Sequence, residues 1–171
     1  MGHSGRPPSP LRSASPQSDD AARTRNTYLP EGLPRPVPEP DGLSAPYWDG
    51  TRRRELRVQR CRACRAWQWG PEWICHACLS FDLAWEAIDG RGTIYSWERV
   101  WHPVHRALAG ATPYVVVLVE LPRSGGIRMI GNLVADGEPK IGARVRAVFE
   151  DHLDADPPYT LVQWKIEGEP Q

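Results

Sequence analysis

The four cysteines of this chain stand at Cys61, Cys64, Cys75 and Cys78, two Cys-x-x-Cys pairs with ten residues between them and no cysteine left over. This constrains the fold more than any other feature of the sequence. Two such turns brought together set four thiolates at the corners of a tetrahedron, the ligand set and geometry of a structural Zn²⁺. A disulfide framework competes for the same residues. Met1 to Leu11 lacks the apolar stretch of a secretion signal, however, so a reducing cytoplasm is expected. A thioredoxin-like redox site needs one such pair beside a βαβ pattern, and the sequence has none. Iron is the remaining alternative, because a sulfur tetrahedron suits it as well.

A catalytic zinc has three protein ligands and one open position, whereas four thiolates leave no position open. His76, between Cys75 and Cys78, is the one neighbour able to replace a ligand; the ligand count favours a knuckle residue turned away. The metal is therefore expected to fasten a small unit whose folding energy is its binding energy.

The chain has 171 residues and zero formal net charge. That is room for one ordinary domain or two small ones, and it excludes a surface built as a whole to hold nucleic acid. Only Lys140 and Lys165 are lysines; the other cations are arginines. The longest apolar run, Tyr114 to Leu121, is far too short to span a membrane.

Nine of the 18 prolines lie in the first 40 residues. Such a segment buries too little apolar surface to offset its ordering entropy, so residues 1–43 read as a disordered or partner-bound tail. Ser44 stands as a helix N-cap with Pro46 in the first turn, which predicts a short helix over Ala45 to Arg53. Leu56 and Val58 then alternate with Arg57 and Gln59, a strand period leading into Cys61. The ten residues from Arg65 to Ile74 suffice for a hairpin between two metal knuckles. Residues 44–86 thus read as a helix plus a rubredoxin-like zinc ribbon. Trp67, Trp69 and Trp73 are too many indoles to bury in so small a unit, and they are candidate partner-binding residues.

From Gly90 onward the pattern is all-β. Asp89 to Gly92 reads as a turn, Thr93 to Trp101 as a strand, and Tyr114 to Leu121 as a strand covered on both faces. Arg123 to Gly126 supplies hairpin chemistry before a return strand over Ile127 to Val134. Val145, Ala147 and Phe149 alternate with polar residues, and Val162, Trp164 and Ile166 alternate with Leu161, Gln163 and Lys165. Five short strands over residues 87–171 predict a small Greek-key barrel of the OB type. The fold class is mainly β: a short N-terminal helix, a zinc ribbon and a C-terminal five-stranded OB-fold barrel.

The ordered set comprises the Tyr47-Trp48 helix, the Leu56 to Cys61 strand, both cysteine pairs, Gly90 to Ser96, Pro113 to Leu121, Gly131 to Val134 and Ile141 to Val145. It resembles the DUF35 family of zinc-ribbon and OB-fold proteins associated with acyl-CoA metabolism. The resemblance covers roughly residues 44–166. It implies a non-catalytic subunit of a thiolase-fold acyl-CoA enzyme, on a homodimeric partner. One branch of the family pairs with a thiolase-like aldolase in steroid side-chain degradation. The chain shows no MaoC-like hydratase segment, so a standalone subunit is expected.

The residues themselves assemble no catalytic site. There is no G-x-S-x-G elbow, no glycine-rich phosphate loop and no H-E-x-x-H pair. His102 and His105 lie in the long connection after Trp101 and read as loop or partner contacts. Glu98 and Glu120 lie in strands where a carboxylate pair is conceivable. Arg52, Arg53 and Arg54 open a run continued by Arg57, Arg60, Arg62 and Arg65, suited to an acidic partner surface or to the phosphates of an acyl-CoA. The alternative reading is a single-stranded nucleic-acid-binding protein, since arginines with aromatics on a ribbon and an OB barrel fit that task too. An enzyme in its own right, acting on an acyl-CoA through His102 or His105, is the third.

Overall fold

A computed structural model describes residues 42–134 and 138–168 of the chain. Most of the expected tail, residues 1–41, lies outside the described residues. The elements are α1 (Ala45–Arg52), β1 (Leu56–Cys61), β2 (Trp67–Gln68), β3 (Leu83–Ile88), β4 (Arg91–Val100), β5 (Tyr114–Leu121), β6 (Ile127–Asn132), β7 (Arg144–His152) and β8 (Tyr159–Ile166). Short 3-10 turns over Arg106–Leu108 and Pro122–Ser124 flank β5.

Helix α1 stops one residue short of the expected Arg53. Ser44 occupies the N-cap position, but its side chain makes no capping hydrogen bond. Its carbonyl instead accepts the N–H groups of Tyr47 and Trp48 at 3.0 and 3.3 Å. The chain then turns sharply through Arg54, at φ 59°. Gly50 permits that turn: a Cβ there would lie 2.8 Å from the Glu55 carbonyl oxygen.

The ribbon sheet has the order β2-β1-β3 and the barrel sheet β6-β5-β4-β7-β8. All pairs within these two sheets are antiparallel. The barrel closes where Leu133, just past β6, bridges in parallel to Trp164 on β8. The Val134 N–H donates to the Trp164 carbonyl at 2.8 Å. The buried Gln163 reinforces this seam, accepting the Asn132 N–H at 2.8 Å and donating to the buried Glu150 at 2.7 Å. Strand β4 coils tightly enough for closure at Gly92, where a Cβ would fall 2.3 Å from the Glu120 carbonyl oxygen. This is the strand order and closure of an OB-fold.

One core serves ribbon and barrel together. Leu56 and Val58 of β1 pack with Ile94, Val117, Val119, Leu121, Met129, Val145 and Trp164 of the barrel. Strand β5 corrects one expectation. Val117, Val119 and Leu121 are buried, but the alternate residues Val116, Leu118 and Glu120 are only half-buried. The strand belongs to an antiparallel barrel wall, which has one inner face. The conceivable Glu98–Glu120 pair does not form: Glu98 stands opposite Val116, Glu120 stands opposite Thr93, and Glu120 accepts from Arg128 at 3.0 Å. Among the described residues no helix is long and apolar enough to cross a membrane.

Candidate metal centre and interaction surface

Each cysteine pair forms the same backbone turn. In the first, the Arg65 N–H donates to the Cys61 carbonyl at 2.9 Å and Arg65 turns to φ 67°. In the second, the Leu79 N–H donates to the Cys75 carbonyl at 2.9 Å and Leu79 turns to φ 61°. Positive φ is unfavourable for residues other than glycine, so both turns hold a strained residue directly after a sulfur. Backbone N–H groups also point at sulfur: Cys64 N–H to Cys61 Sγ at 3.5 Å, and Ala77 N–H to Cys75 Sγ at 3.4 Å.

The four Sγ atoms lie within 4.8 Å of one another and form the one group of metal-binding type found among the described residues. The Cys61–Cys78 and Cys64–Cys75 sulfurs are 3.6 Å apart, and all four cysteines are free. A tetrahedron with Zn–S bonds of about 2.3 Å has edges of about 3.8 Å, so the sulfurs stand where a four-coordinate ion needs them. Cys61 and Cys75 are buried, whereas Cys64 and Cys78 face solvent. His76 is outside the group. The electrostatics also call for a cation. The Cys64 N–H is the main cause holding the Cys61 thiol down to about 6. At Cys78 the Ser80 N–H favours the thiolate, but hydrogen bonding with the Cys64, Cys61 and Cys75 sulfurs outweighs it and pushes the thiol up to about 12. A divalent ion resolves that crowding by deprotonating every thiol it binds.

Behind the sulfurs lies a pair of side chains to which the sequence reading gave no role. Gln59 and Gln68 are each 3% exposed. Gln59 clamps Glu72, donating to its carbonyl at 3.0 Å and accepting its N–H at 2.9 Å. Gln68 accepts the His76 N–H at 3.2 Å and donates to the Ile74 carbonyl at 3.4 Å. The segment carrying the second knuckle is thus hydrogen-bonded to β1 and β2. The sequence signal was faint: a glutamine between Trp67 and Trp69, and another between Val58 and the metal knuckle.

The three ribbon tryptophans separate into two kinds. Trp67 is half-buried, lies under the Arg60 guanidinium at 4.6 Å, and packs on Gly125 of the barrel, whose Cβ would fall 3.0 Å from the indole. Trp69 is half-buried against Tyr47 of α1, with ring centroids 5.0 Å apart. Trp73 is 59% exposed. On the same ribbon Leu79 is 68% exposed and Phe81 79%.

The arginine run is largely engaged within the chain. Arg52 pairs with Asp49 and Arg54 with Asp151. Arg57 reaches Glu55 at 3.0 Å, Arg60 reaches Glu86 at 3.1 Å, Arg62 reaches Asp82 at 3.5 Å and Arg65 reaches Glu86 at 4.0 Å. Arg53 is exposed and has no ion pair among the described residues. His102 is exposed in the β4–β5 connection beside Trp101. His105 is half-buried and caps the following 3-10 turn, its Nδ1 accepting the Ala107 N–H at 3.2 Å.

Two family models match in succession, the "ChsH2, rubredoxin-like zinc ribbon domain" over residues 48–84 and the "ChsH2, C-terminal OB-fold domain" over 85–150. A solved chain titled "Ltp2-ChsH2(DUF35) aldolase" is 34% identical, with a TM-score of 0.64, over 77% of this chain and 98% of that one. A DUF35-family protein of unknown function from Sulfolobus solfataricus has the same fold at a TM-score of 0.51 and 15% identity, over 73% of this chain and 85% of that one. A probable enoyl-CoA hydratase alpha subunit of Thermomonospora curvata is 38% identical over 81% of this chain and 43% of its own length. The 3-oxo-4,17-pregnadiene-20-carboxyl-CoA hydratase alpha subunit of Mycobacterium tuberculosis is 30% identical over 81% of this chain and 46% of its own. The chain spans less than half the length of these curated relatives.

Proposed function

This chain belongs to the DUF35 family, with the zinc ribbon and OB-fold domains of its ChsH2 members, and from that membership we propose that it is a non-catalytic subunit of an acyl-CoA aldolase. In this reading it docks on a thiolase-fold enzyme, completes its acyl-CoA channel, and serves steroid or related lipid side-chain degradation in the cytoplasm. The observation that carries the reading is the likeness to the chain of the Ltp2-ChsH2(DUF35) aldolase, which this chain covers almost end to end. The hydratase activity in the names of the longer curated relatives is not part of it. The ion at the four cysteines is proposed to be Zn²⁺, fixing the ribbon that carries Trp73, Leu79 and Phe81 on its surface. Four thiolates leave it no position for substrate, so its contribution is structural.

The test is capture of the zinc-loaded protein from its native cell extract, with mass spectrometry of what accompanies it. A thiolase-fold protein in near-equal amount, inactive alone and active as an aldolase in the complex, is the expected result. Turnover of an acyl-CoA by the isolated chain would overturn the non-catalytic assignment. Six of the seven arginines on which the single-stranded nucleic-acid alternative rests are ion-paired within the chain, which favours the subunit reading.

A further inference from the structure

The four sulfurs are divided between the interior and the solvent. Cys61 and Cys75 are buried, whereas Cys64 and Cys78 are exposed. Each exposed sulfur stands 3.6 Å from a buried sulfur of the other knuckle, Cys78 from Cys61 and Cys64 from Cys75. A disulfide holds its sulfurs about 2.05 Å apart, so each pair closes with an approach of about 1.5 Å. The chain has no cysteine outside this group, so no other thiol of its own competes. A metal-bound cysteine is a thiolate, and a solvent-facing thiolate with a second thiolate beside it is the arrangement that peroxides oxidise reversibly. The same knuckles hold the exposed apolar side chains of the ribbon. Leu79, at φ 61°, follows Cys78 directly, Trp73 lies two residues before Cys75, and Phe81 lies three after Cys78.

We propose that Cys64 and Cys78 are a reversible modification site for hydroperoxides, with Cys75 and Cys61 as their resolving partners. The exposed Cys78 thiolate attacks one peroxide oxygen: an S–O bond forms, the O–O bond breaks and hydroxide leaves. The sulfur gives two electrons to the peroxide and becomes a sulfenic acid. The Cys61 thiolate then attacks that sulfur: an S–S bond forms, the S–O bond breaks and a second hydroxide leaves. Both hydroxides take protons from solvent and become water. Cys64 and Cys75 consume a second peroxide in the same way. Because a thiolate stands 3.6 Å away, the sulfenic acid is trapped as a disulfide ahead of oxidation to sulfinic acid. Each disulfide removes two ligands from the metal site, and the second leaves none. Metal binding and ribbon folding share one free energy, so oxidation takes away the support under Trp73, Leu79 and Phe81. Its consequence, release of the docked partner, rests on the function proposed above; the thiol chemistry does not.

The experiment treats the full, zinc-loaded chain with hydrogen peroxide and follows free zinc with a chromophoric chelator. Release should be faster than in the peroxide-free protein by about tenfold or more, and dithiothreitol with added zinc should restore the metal. Zinc retained under peroxide overturns the site, and so does zinc lost with sulfinic or sulfonic acids that dithiothreitol does not reverse. Trypsin reports the pairing without any variant, because it cuts after Arg60, Arg62, Arg65 and Arg91. Disulfides between the knuckles join residues 61–62 and 63–65 separately to 66–91, and fragmentation between Cys75 and Cys78 assigns each partner. Disulfides within each knuckle join 61–62 to 63–65 and leave 66–91 on its own, which overturns the resolving roles. A pull-down with reduced, oxidised and re-reduced protein then reads docking. Capture lost on oxidation and regained on reduction is expected, whereas equal capture after zinc release overturns the control of docking alone. No capture by the reduced protein overturns the proposed function and its control together, while the modification site stands or falls on the zinc and pairing readouts.

Discussion

Gln59 on β1 and Gln68 on β2 face each other in register, and the Gln68 Nε2 donates to the Gln59 Oε1 at 3.0 Å in the interior of the ribbon. Each then holds a different part of the segment leading into the second cysteine pair. Replacing Gln59 by Leu strands the Glu72 N–H and carbonyl together with one Gln68 donor. The expected loss is about 1–3 kcal/mol of stability, the usual cost of buried polar groups left unpaired. Denaturant unfolding of the zinc-loaded protein measures it. Zinc transfer to a chelator should speed up by about tenfold, as when a ligand's supporting hydrogen bonds are removed.

Cys61→Ser removes a buried ligand whose sulfur also accepts the Cys64 N–H. Ribbon folding and metal binding share one free energy, so the variant should lose zinc, the ribbon's protected amides and partner capture together. Elemental analysis, hydrogen exchange and the pull-down read these separately. Partner capture persisting without metal would break the link between ribbon and docking. The metal-bound state also has a definite pH dependence. Cys78 needs an ion to lose its proton at neutral pH, so binding must release protons and affinity must fall on acidification. A zinc titration in two buffers of different ionisation enthalpy counts those protons.

Much of this was legible in the sequence because it is local. The cysteine spacing specifies the knuckles, period-two runs mark the barrel strands, and glycine turns mark their ends. What was hidden depends on partners far along the chain. Gln59 and Gln163 fall on the polar positions of alternating strands and Gln68 lies between two tryptophans, yet all three are buried with hydrogen-bonding partners. Arg54 read as a candidate partner contact, whereas within the chain it pairs with Asp151, 97 positions away. Arg91, Arg146 and Lys165 stand in one cross-strand row by strand register alone, and no window of sequence contains it.

Trp67 and Trp73 should respond oppositely to truncation. Trp67→Ala opens a void beneath Arg60 and against Gly125, and should cost about 2 kcal/mol of stability. Trp73→Ala should stay within about 0.5 kcal/mol of the parent, as exposed substitutions do, while weakening partner capture. Thermal unfolding and the pull-down, run on both variants, separate the two roles. Equal capture by Trp73→Ala and the parent would remove Trp73 from the proposed interface.

Tyr47, packed between Trp48 and Trp69, has its phenol pushed from 10.0 up to about 12 by burial. The folded state therefore holds the proton more tightly than the unfolded chain. The sign follows from linkage: this contribution is complete below pH 10 and is lost as pH rises from there towards 12. Two units correspond to about 3 kcal/mol. Tyr47→Phe keeps the ring and removes the ionisation, so its stability should stay flatter than the parent's across that alkaline window. The check is urea unfolding at several pH values between neutrality and 11.5, where the difference between variant and parent should grow with pH. Parallel curves would mean that water reaches the phenolate in the folded protein, and that Trp69 and α1 seal the ring less completely than their contact distances indicate.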